Sequence, residues 1–166
     1  ISYSVTTNTS IFEAAAYNGQ LVLKLKEGVT VNHEANDSYS ITVKASDGVP
    51  SNDITKTFTI SVTDLNETPI LAQPTSASIV EDATETISGT LIATDPDAGQ
   101  VITYGITGGS SSGISTVTIE GVYGALTLNT SSGAYSYTLD KTKTSTQELT
   151  ASDQVSEIFK FTASDS

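Results

Sequence analysis

The run Thr57-Phe58-Thr59-Ile60-Ser61-Val62-Thr63 leads directly into Asp64-Leu65-Asn66-Glu67-Thr68-Pro69. In the first half, apolar residues alternate with hydroxyl residues, and this period of two predicts a half-buried strand. The proline cannot continue a central strand, and it holds the residue before it extended. The second half is therefore a straight connector that is rich in side-chain oxygen. Because Ca²⁺ takes about six to eight oxygen ligands, the stretch predicts a calcium-stiffened hinge between two β-domains.

The composition excludes several classes of protein. The 166 residues include 19 Asp and Glu against 7 Lys and Arg, which gives a formal net charge of -12. Nucleic acid and anionic membrane surfaces are unfavourable partners for so acidic a chain. The sequence has no cysteine, so no disulfide framework can form and bound metal is the alternative clamp for small domains. No apolar run is as long as a membrane-spanning helix.

Short alternating segments recur along the whole chain, with Gly, Asn, Asp and Ser between them. They are predicted strands at residues 1–6, 19–25, 39–45, 57–63, 86–93, 101–107, 115–120, 125–129, 134–139 and 157–163. Residues 13–16 could form one helical turn at most. Regularly spaced short strands with turn residues between them predict antiparallel β-sandwiches.

The chain also repeats itself. Residues 1–6 match residues 102–107, and residues 41–47 match residues 159–165. The second copy carries extra polar residues in the regions 108–121 and 141–152, which we expect to be surface loops. The predicted domains are residues 1–68, with the head of the first copy missing, and residues 69–166, with its closing strand missing.

Several motifs resemble those of known extracellular repeats. The first copy resembles a cadherin-like repeat through Asn32-His33-Glu34, Ala45-Ser46-Asp47 and the Asp64–Pro69 connector. The second resembles the VCBS-type, cadherin-related repeat of large bacterial RTX-type surface adhesins. It does so through Val80-Glu81-Asp82, Gly89-Thr90-Leu91, residues 93–99 (ATDPDAG), residues 123–128 (YGALTL) and residues 134–137 (AYSY). The resemblance implies an all-β fold of two tandem Ig-like/cadherin-like sandwiches, joined end to end by a short calcium-binding linker.

The resemblance also implies a ligand set for Ca²⁺ at the domain junction. The implied ligands are Glu34, Asp64, the Leu65 carbonyl, Asn66, Glu67, Asp95, Asp97 and Asp165. Asn32 stands where cadherins often have an acid, and Glu67 where they often have Asp, so fewer ions are expected than at an animal cadherin junction. Asp47 and Glu81 match acids that face the neighbouring junctions.

The function that this resemblance implies is a non-catalytic, calcium-stiffened extender module of a giant cell-surface adhesin. Such a module takes part in cell adhesion or biofilm formation and is extracellular, secreted by a Gram-negative bacterium. Its partners are neighbouring repeats of the same chain, and also other cells or surface polysaccharide.

Two other functions stay open at this point. A carbohydrate-binding module of a secreted polysaccharide-active protein would use exposed aromatics, for which Tyr123, Tyr135 and Tyr137 are candidates. Homophilic adhesion of the cadherin type is the other. Gly109–Gly113 fits G-x-S-x-G, but a nucleophile elbow needs a following helix and a later histidine, so we expect a loop there. His33, the single histidine, is predicted to be a solvated turn residue, with contact to the junction as the alternative.

Overall fold

The computed structural model describes residues 1–80, 84 and 86–166, so Glu81 and Asp82 of the Val80-Glu81-Asp82 motif lie outside the described residues. The chain divides into two compact units, Ile1–Asn66 and Glu67–Ser166. Strands dominate both units, and every strand pairing is antiparallel. The predicted all-β class of Ig-like/cadherin-like sandwiches is confirmed. In the part of the chain that the structure describes, no helix is long and apolar enough to cross a membrane.

Unit 1 consists of a three-stranded sheet and a hairpin. Its strands are β1 (Ser2–Val5), β2 (Phe12–Tyr17), β3 (Gln20–Leu25), β4 (Ser38–Ser46) and β5 (Ile54–Ser61). The sheet order is β1-β4-β5, and β2 pairs with β3. A single turn of 3₁₀ helix, Pro50–Asn52, lies between β4 and β5.

The core of unit 1 lies between the central strand of the sheet and the hairpin. Along β4, Tyr39, Ile41 and Val43 are buried and alternate with more exposed residues, as the period of two requires. Phe12 on β2 is buried with them. Its ring packs edge to face on that of Tyr39, with 5.3 Å between the ring centroids. The unit therefore has two layers, the sheet and the hairpin, and β4 supplies most of the buried side chains between them.

The prediction that residues 13–16 could form a helical turn was wrong, because these residues belong to β2. Asn18 and Gly19 have φ values of 50° and 76°, which is the backbone that a tight two-residue hairpin turn needs. The turn sets the register, in which Ala14 lies opposite Leu23. The position of Ala14 is thus set by pairing with the partner strand and not by an alternating apolar pattern.

Unit 2 consists of a five-stranded sheet and two strand pairs. Its strands are β6 (Ile70–Leu71), β7 (Ile87–Thr90), β8 (Ala93–Thr94), β9 (Thr103–Ile106), β10 (Ser110–Gly113), β11 (Thr116–Glu120), β12 (Gly124–Asn129), β13 (Ala134–Leu139) and β14 (Phe161–Ser164). The sheet order is β10-β11-β12-β13-β7, while β14 pairs with β9 and β6 with β8.

The core of unit 2 is centred on β12. Leu126 and Leu128 are buried on one face of that strand, together with Tyr137 of β13 and Ile106 of β9. Two pairs of aromatic rings pack in the same cluster. The ring centroids of Tyr135 and Phe161 are 5.2 Å apart, and those of Tyr137 and Phe159 are 5.8 Å apart. The aromatic residues of the predicted strand 134–139 are therefore core and half-buried packing residues.

The repeated segments have the same pairing register in the two units. In unit 1, Tyr3 lies opposite Ala45, and in unit 2 Tyr104 lies opposite Ala163. These four residues are related by the same two sequence matches that define the repeat. The pairing of β1 with β4 is thus reproduced by that of β9 with β14.

Two predicted loops of unit 2 contain regular structure. The prediction of a loop at Gly109–Gly113 was wrong for residues 110–113, which form β10 and pair with β11. Hydroxyls reinforce this edge, because the Ser112 and Thr118 side-chain oxygens lie 2.9 Å apart. The region 141–152 contains a short helix, α1 (Thr144–Gln147).

Side chains in and just before helix α1 donate hydrogen bonds to the backbone carbonyls of the turn that joins β11 to β12. Lys143 Nζ donates to the Gly121 carbonyl at 2.7 Å, Ser145 Oγ to the Val122 carbonyl at 2.6 Å, and Thr146 Oγ1 to the Tyr123 carbonyl at 3.1 Å. Thr146 is only 1% exposed, so its hydroxyl needs such a partner. The extra residues of the second copy therefore act as a cap on the sheet.

Glu157 ties its segment to the same turn. Its Oε2 accepts a hydrogen bond from the Tyr137 hydroxyl at 2.6 Å, and its Oε1 accepts one from the Tyr123 N–H at 2.9 Å. Burial, followed by the hydrogen bond to the Glu157 carboxylate, raises the pKa of Tyr137. The carboxylate thus holds β13 and the β11–β12 turn together.

We expect Glu157→Ala to destabilise unit 2 by about 3 kcal/mol or more, because two hydrogen bonds to a charged acceptor are lost and each contributes about 1.5–3 kcal/mol. Glu157→Gln keeps one acceptor and should fall between wild type and Glu157→Ala in urea-melt free energy. Glu148→Ala, at an exposed position of the same unit, is the control. A Glu157→Ala variant as stable as this control would contradict the role of Glu157.

Candidate metal centre

The register of β4 and β5 brings the acidic residues of unit 1 together. Ser38 at the start of β4 lies opposite Ser61 at the end of β5. The chain just before β4 and the chain just after β5 therefore leave the sheet at the same end. The Val62 N–H donates to the Asp37 carbonyl at 2.8 Å and keeps the two segments side by side. Glu34 and Asp64, on these two segments, meet for this reason.

Two acidic residues of unit 1 lie beside His33. Its Nδ1 atom lies 3.3 Å from Glu34 Oε1 and 3.5 Å from Asp64 Oδ1. The turn that carries His33 and Glu34 is fixed by the Ala35 N–H, which donates to Asn32 Oδ1 at 2.7 Å. The three residues can each direct one ligand atom so that all three atoms lie within 4.8 Å of one another.

The acidic residues of unit 2 converge by the same logic. Ile70 of β6 lies opposite Thr94 of β8, so the residues before β6 and those after β8 leave this strand pair together. The Glu67 N–H donates to Asp97 Oδ2 at 2.9 Å. The Asp97 N–H in turn donates to Asp95 Oδ1 at 2.9 Å, which closes an Asx turn within the Asp-Pro-Asp segment.

Asp97 is a buried carboxylate that can still accept a hydrogen bond or bind a cation. It is 7% exposed, and one of its oxygens, Oδ1, is buried without a hydrogen-bond partner among the described residues. Asp95 Oδ2 is in the same condition in the described part of the chain. A buried carboxylate oxygen without a partner is costly, since the group loses its hydration and gains nothing in exchange.

These donor atoms fit Ca²⁺. The ion is bound by carboxylate, amide and carbonyl oxygens, and the unpartnered oxygens of Asp95 and Asp97 are donors of that type. The other oxygen of each carboxylate accepts a backbone N–H, which holds the group in place. A cation at these oxygens would supply the partner that the described protein groups do not. Within unit 1, the carboxylates of Glu34 and Asp64 are hard donors of the same kind.

The remaining predicted ligands have distinct positions. Leu65 has a side chain that is 76% exposed, and Asn66 ends unit 1. Asp165 follows β14, whose last residue, Ser164, lies opposite Thr103. Ser166 Oγ donates to Gln100 Oε1 at 3.4 Å, so Asp165 lies beside the end of the loop that carries Asp97.

Asp47, predicted to face another junction, is held within its own turn. Its Oδ1 accepts from the Val49 N–H at 2.9 Å, and its Oδ2 accepts from Asn52 Nδ2 at 3.1 Å. These hydrogen bonds, the backbone one foremost, lower the pKa of Asp47. The carboxylate therefore organises the loop that follows β4.

His33 lies in a turn, as predicted, and its imidazole also lies beside two of the predicted ligands. The side chain is 34% exposed, and its Nδ1 points at two carboxylates. The available signal was its place between Asn32 and Glu34, inside the very turn that supplies a predicted ligand.

Comparisons with known proteins were made on the sequence and on the fold. No family model matches the sequence. The chain is similar to protocadherin-15 of Mus musculus, with 40% identity over 78 residues, or 45% of this chain. It is similar to protocadherin-15 of Homo sapiens, with 36% identity over 92 residues, or 54% of this chain. In both cases the match spans 4% of the relative's length. These relatives support a cadherin-like fold.

The comparison of folds found two solved structures with partial similarity to this chain. One is described as protocadherin gamma B2 extracellular cadherin domains 3-6, with a TM-score of 0.48, 21% identity, and coverage of 83% of this chain and 33% of that chain. The other is the protocadherin gammaB4 extracellular domain, with a TM-score of 0.47, 22% identity, and coverage of 84% of this chain and 22% of that chain.

Proposed function

We propose that this chain is a non-catalytic, calcium-stiffened extender module of a large cell-surface adhesin. The observation that carries the proposal is the pair of buried carboxylate oxygens, Asp97 Oδ1 and Asp95 Oδ2, for which the described residues supply no hydrogen-bond partner. Two buried carboxylate oxygens without a partner destabilise the folded state, and a bound cation would remove that cost. The proposed ligand set is the one implied by the sequence: Glu34, Asp64, Leu65, Asn66, Glu67, Asp95, Asp97 and Asp165.

The mechanism that we propose is electrostatic. Asp64 is the last acidic residue of unit 1, and Glu67 is the first acidic residue of unit 2. Leu65 and Asn66 separate them along the chain. Without a cation, like charges on the two sides of this short connector repel one another. Ca²⁺ supplies the compensating charge and a set of directed bonds. Carboxylates bound on both sides of the Asn66–Glu67 peptide bond would then restrain the connector.

This role places the module outside the cell, where calcium sites of modest affinity are saturated. Its proposed partners are neighbouring repeats of the same chain and, through a distant binding tip, other cells or surface polysaccharide. A bacterial RTX-type adhesin that acts in biofilm formation is the finer form of the proposal. That form rests on the order of the VCBS-type motifs alone.

The carbohydrate-binding alternative finds less support. Tyr137 is 9% exposed and bonded to Glu157, and the ring of Tyr135 packs on Phe161. Tyr123 is half-buried. A sugar platform needs exposed aromatic faces, and none of these three tyrosines offers one.

The proposal is tested by small-angle scattering of the whole chain in calcium and in chelator. We expect a larger radius of gyration and a narrower distribution of distances with calcium, because the restrained connector samples fewer conformations. Magnesium at the same concentration is the control, since it keeps its water and demands octahedral geometry. Identical profiles in calcium and chelator would show that the connector is not stiffened by the ion.

A further inference from the structure

The nitrogen atom at the centre of the unit 1 cluster is not accounted for by calcium. Hard cations such as Ca²⁺ are bound by oxygen, whereas imidazole nitrogen suits Zn²⁺ and related transition metals. His33 nevertheless directs Nδ1 at Glu34 and Asp64 from 3.3 Å and 3.5 Å. The donor set of this cluster, one imidazole and two carboxylates, therefore differs in kind from an all-oxygen calcium site.

The spacing of the donors also fits a smaller ion. Charge-assisted N–H···O bonds are shorter, about 2.7–2.9 Å, than either distance from His33 Nδ1. In a tetrahedral zinc site, metal–ligand bonds of about 2.0–2.2 Å put neighbouring donors about 3.4 Å apart. The observed distances of 3.3 Å and 3.5 Å bracket that value. The two distances from His33 Nδ1 are thus those of neighbouring ligands on a tetrahedral ion, and all three ligand atoms lie within 4.8 Å of one another.

We propose that unit 1 binds Zn²⁺ through His33 Nδ1, Glu34 Oε1 and Asp64 Oδ1. Three protein ligands and a water molecule are a common zinc arrangement. The Asp64 side chain is 55% exposed and that of His33 is 34% exposed, so water reaches the fourth position. The inference rests on the proposed function in one respect: Zn²⁺ takes two of the carboxylates assigned to Ca²⁺, so each ion weakens the binding of the other.

The sequence makes this site easy to read out. His33 is the single histidine, and the chain has no cysteine. An imidazole signal in an NMR spectrum therefore reports on His33 alone, without any substitution. Zinc chloride, added to the calcium-free full chain, should shift this signal and give one binding event in calorimetry.

The decisive comparison is between wild type and His33→Asn, which removes the imidazole and leaves both carboxylates. We expect the zinc affinity to fall about tenfold or more, since one of three protein ligands is lost. The calcium affinity, measured separately without zinc, should be unchanged. Glu27→Gln, an exposed acid of the same unit outside the cluster, is the matched control and should change neither.

Two outcomes would overturn the zinc site. One is equal zinc affinity in wild type and His33→Asn, and the other is an imidazole signal that zinc does not move. If zinc moves the signal while calcium neither binds nor stabilises the chain, the zinc site stands and the calcium function fails. If calcium binds while zinc leaves His33 unaffected, the reverse holds.

Discussion

Asp97→Asn is expected to remove most of the stabilisation that calcium gives, while leaving the calcium-free chain folded. The amide oxygen can still accept the Glu67 N–H, which now donates to Asp97 Oδ2 at 2.9 Å. The charge and the second strong donor are lost, and the buried position keeps water from replacing them. An ion present at a hundredfold excess over its Kd stabilises the folded state by about 2.7 kcal/mol, and this is the gain we expect the variant to lose.

Urea melts with and without calcium measure this effect in one experiment. In chelator, Asp97→Asn should be as stable as wild type or more so, because one charge of an acidic cluster is gone. Glu120→Gln makes the same change of carboxylate to amide in unit 2, at a side chain that is 71% exposed and paired with Lys143. This control should keep the full calcium response. A response of equal size in all three proteins would remove Asp97 from the site.

The strands that sequence predicts best are those with a buried face. On β4 and β12 the buried side chains recur at every second position, which is the pattern that alternation reports. Strand β2 lacks it, because Ala14, Ala15 and Ala16 stand in a row, and its identity depends on the Asn18-Gly19 turn. Strand β10 contains no large apolar residue, so backbone pairing with β11 and the hydroxyl contact between Ser112 and Thr118 define it.

The resemblance implied the candidate ligands, and strand register gives a physical reason why two of them lie close together. Once β4 and β5 are antiparallel neighbours, the segments that carry Glu34 and Asp64 must leave the sheet together. The burial of Asp97 does not follow in this way, since it depends on the hydrogen bonds made by Asp95 and by the Glu67 N–H. The contacts of His33 depend likewise on the turn that Asn32 closes. Side-chain direction within a turn is set by such local bonds and not by any sequence period.

Truncation of the central core residue of each unit is expected to have the other large effect. Ile41 and Leu128 are both 0% exposed, and they belong to clusters made of different residues. Replacing a buried Ile or Leu with Ala costs about 2–5 kcal/mol, through lost apolar burial and the cavity that remains. We expect Ile41→Ala to weaken unit 1 and Leu128→Ala to weaken unit 2, each by that amount.

Hydrogen exchange followed by mass spectrometry assigns the loss to a unit. In chelator, Ile41→Ala should speed exchange in peptides from β4 and β5, while those from β12 and β13 keep their wild-type rates. Leu128→Ala should do the opposite, because each cluster is buried by its own strands. Ile114→Ala, at a side chain that is 104% exposed, should stay within about 0.5 kcal/mol of wild type. Faster exchange throughout the chain in either core variant would mean that the two cores unfold as one, and that the chain is a single cooperative unit in the absence of calcium.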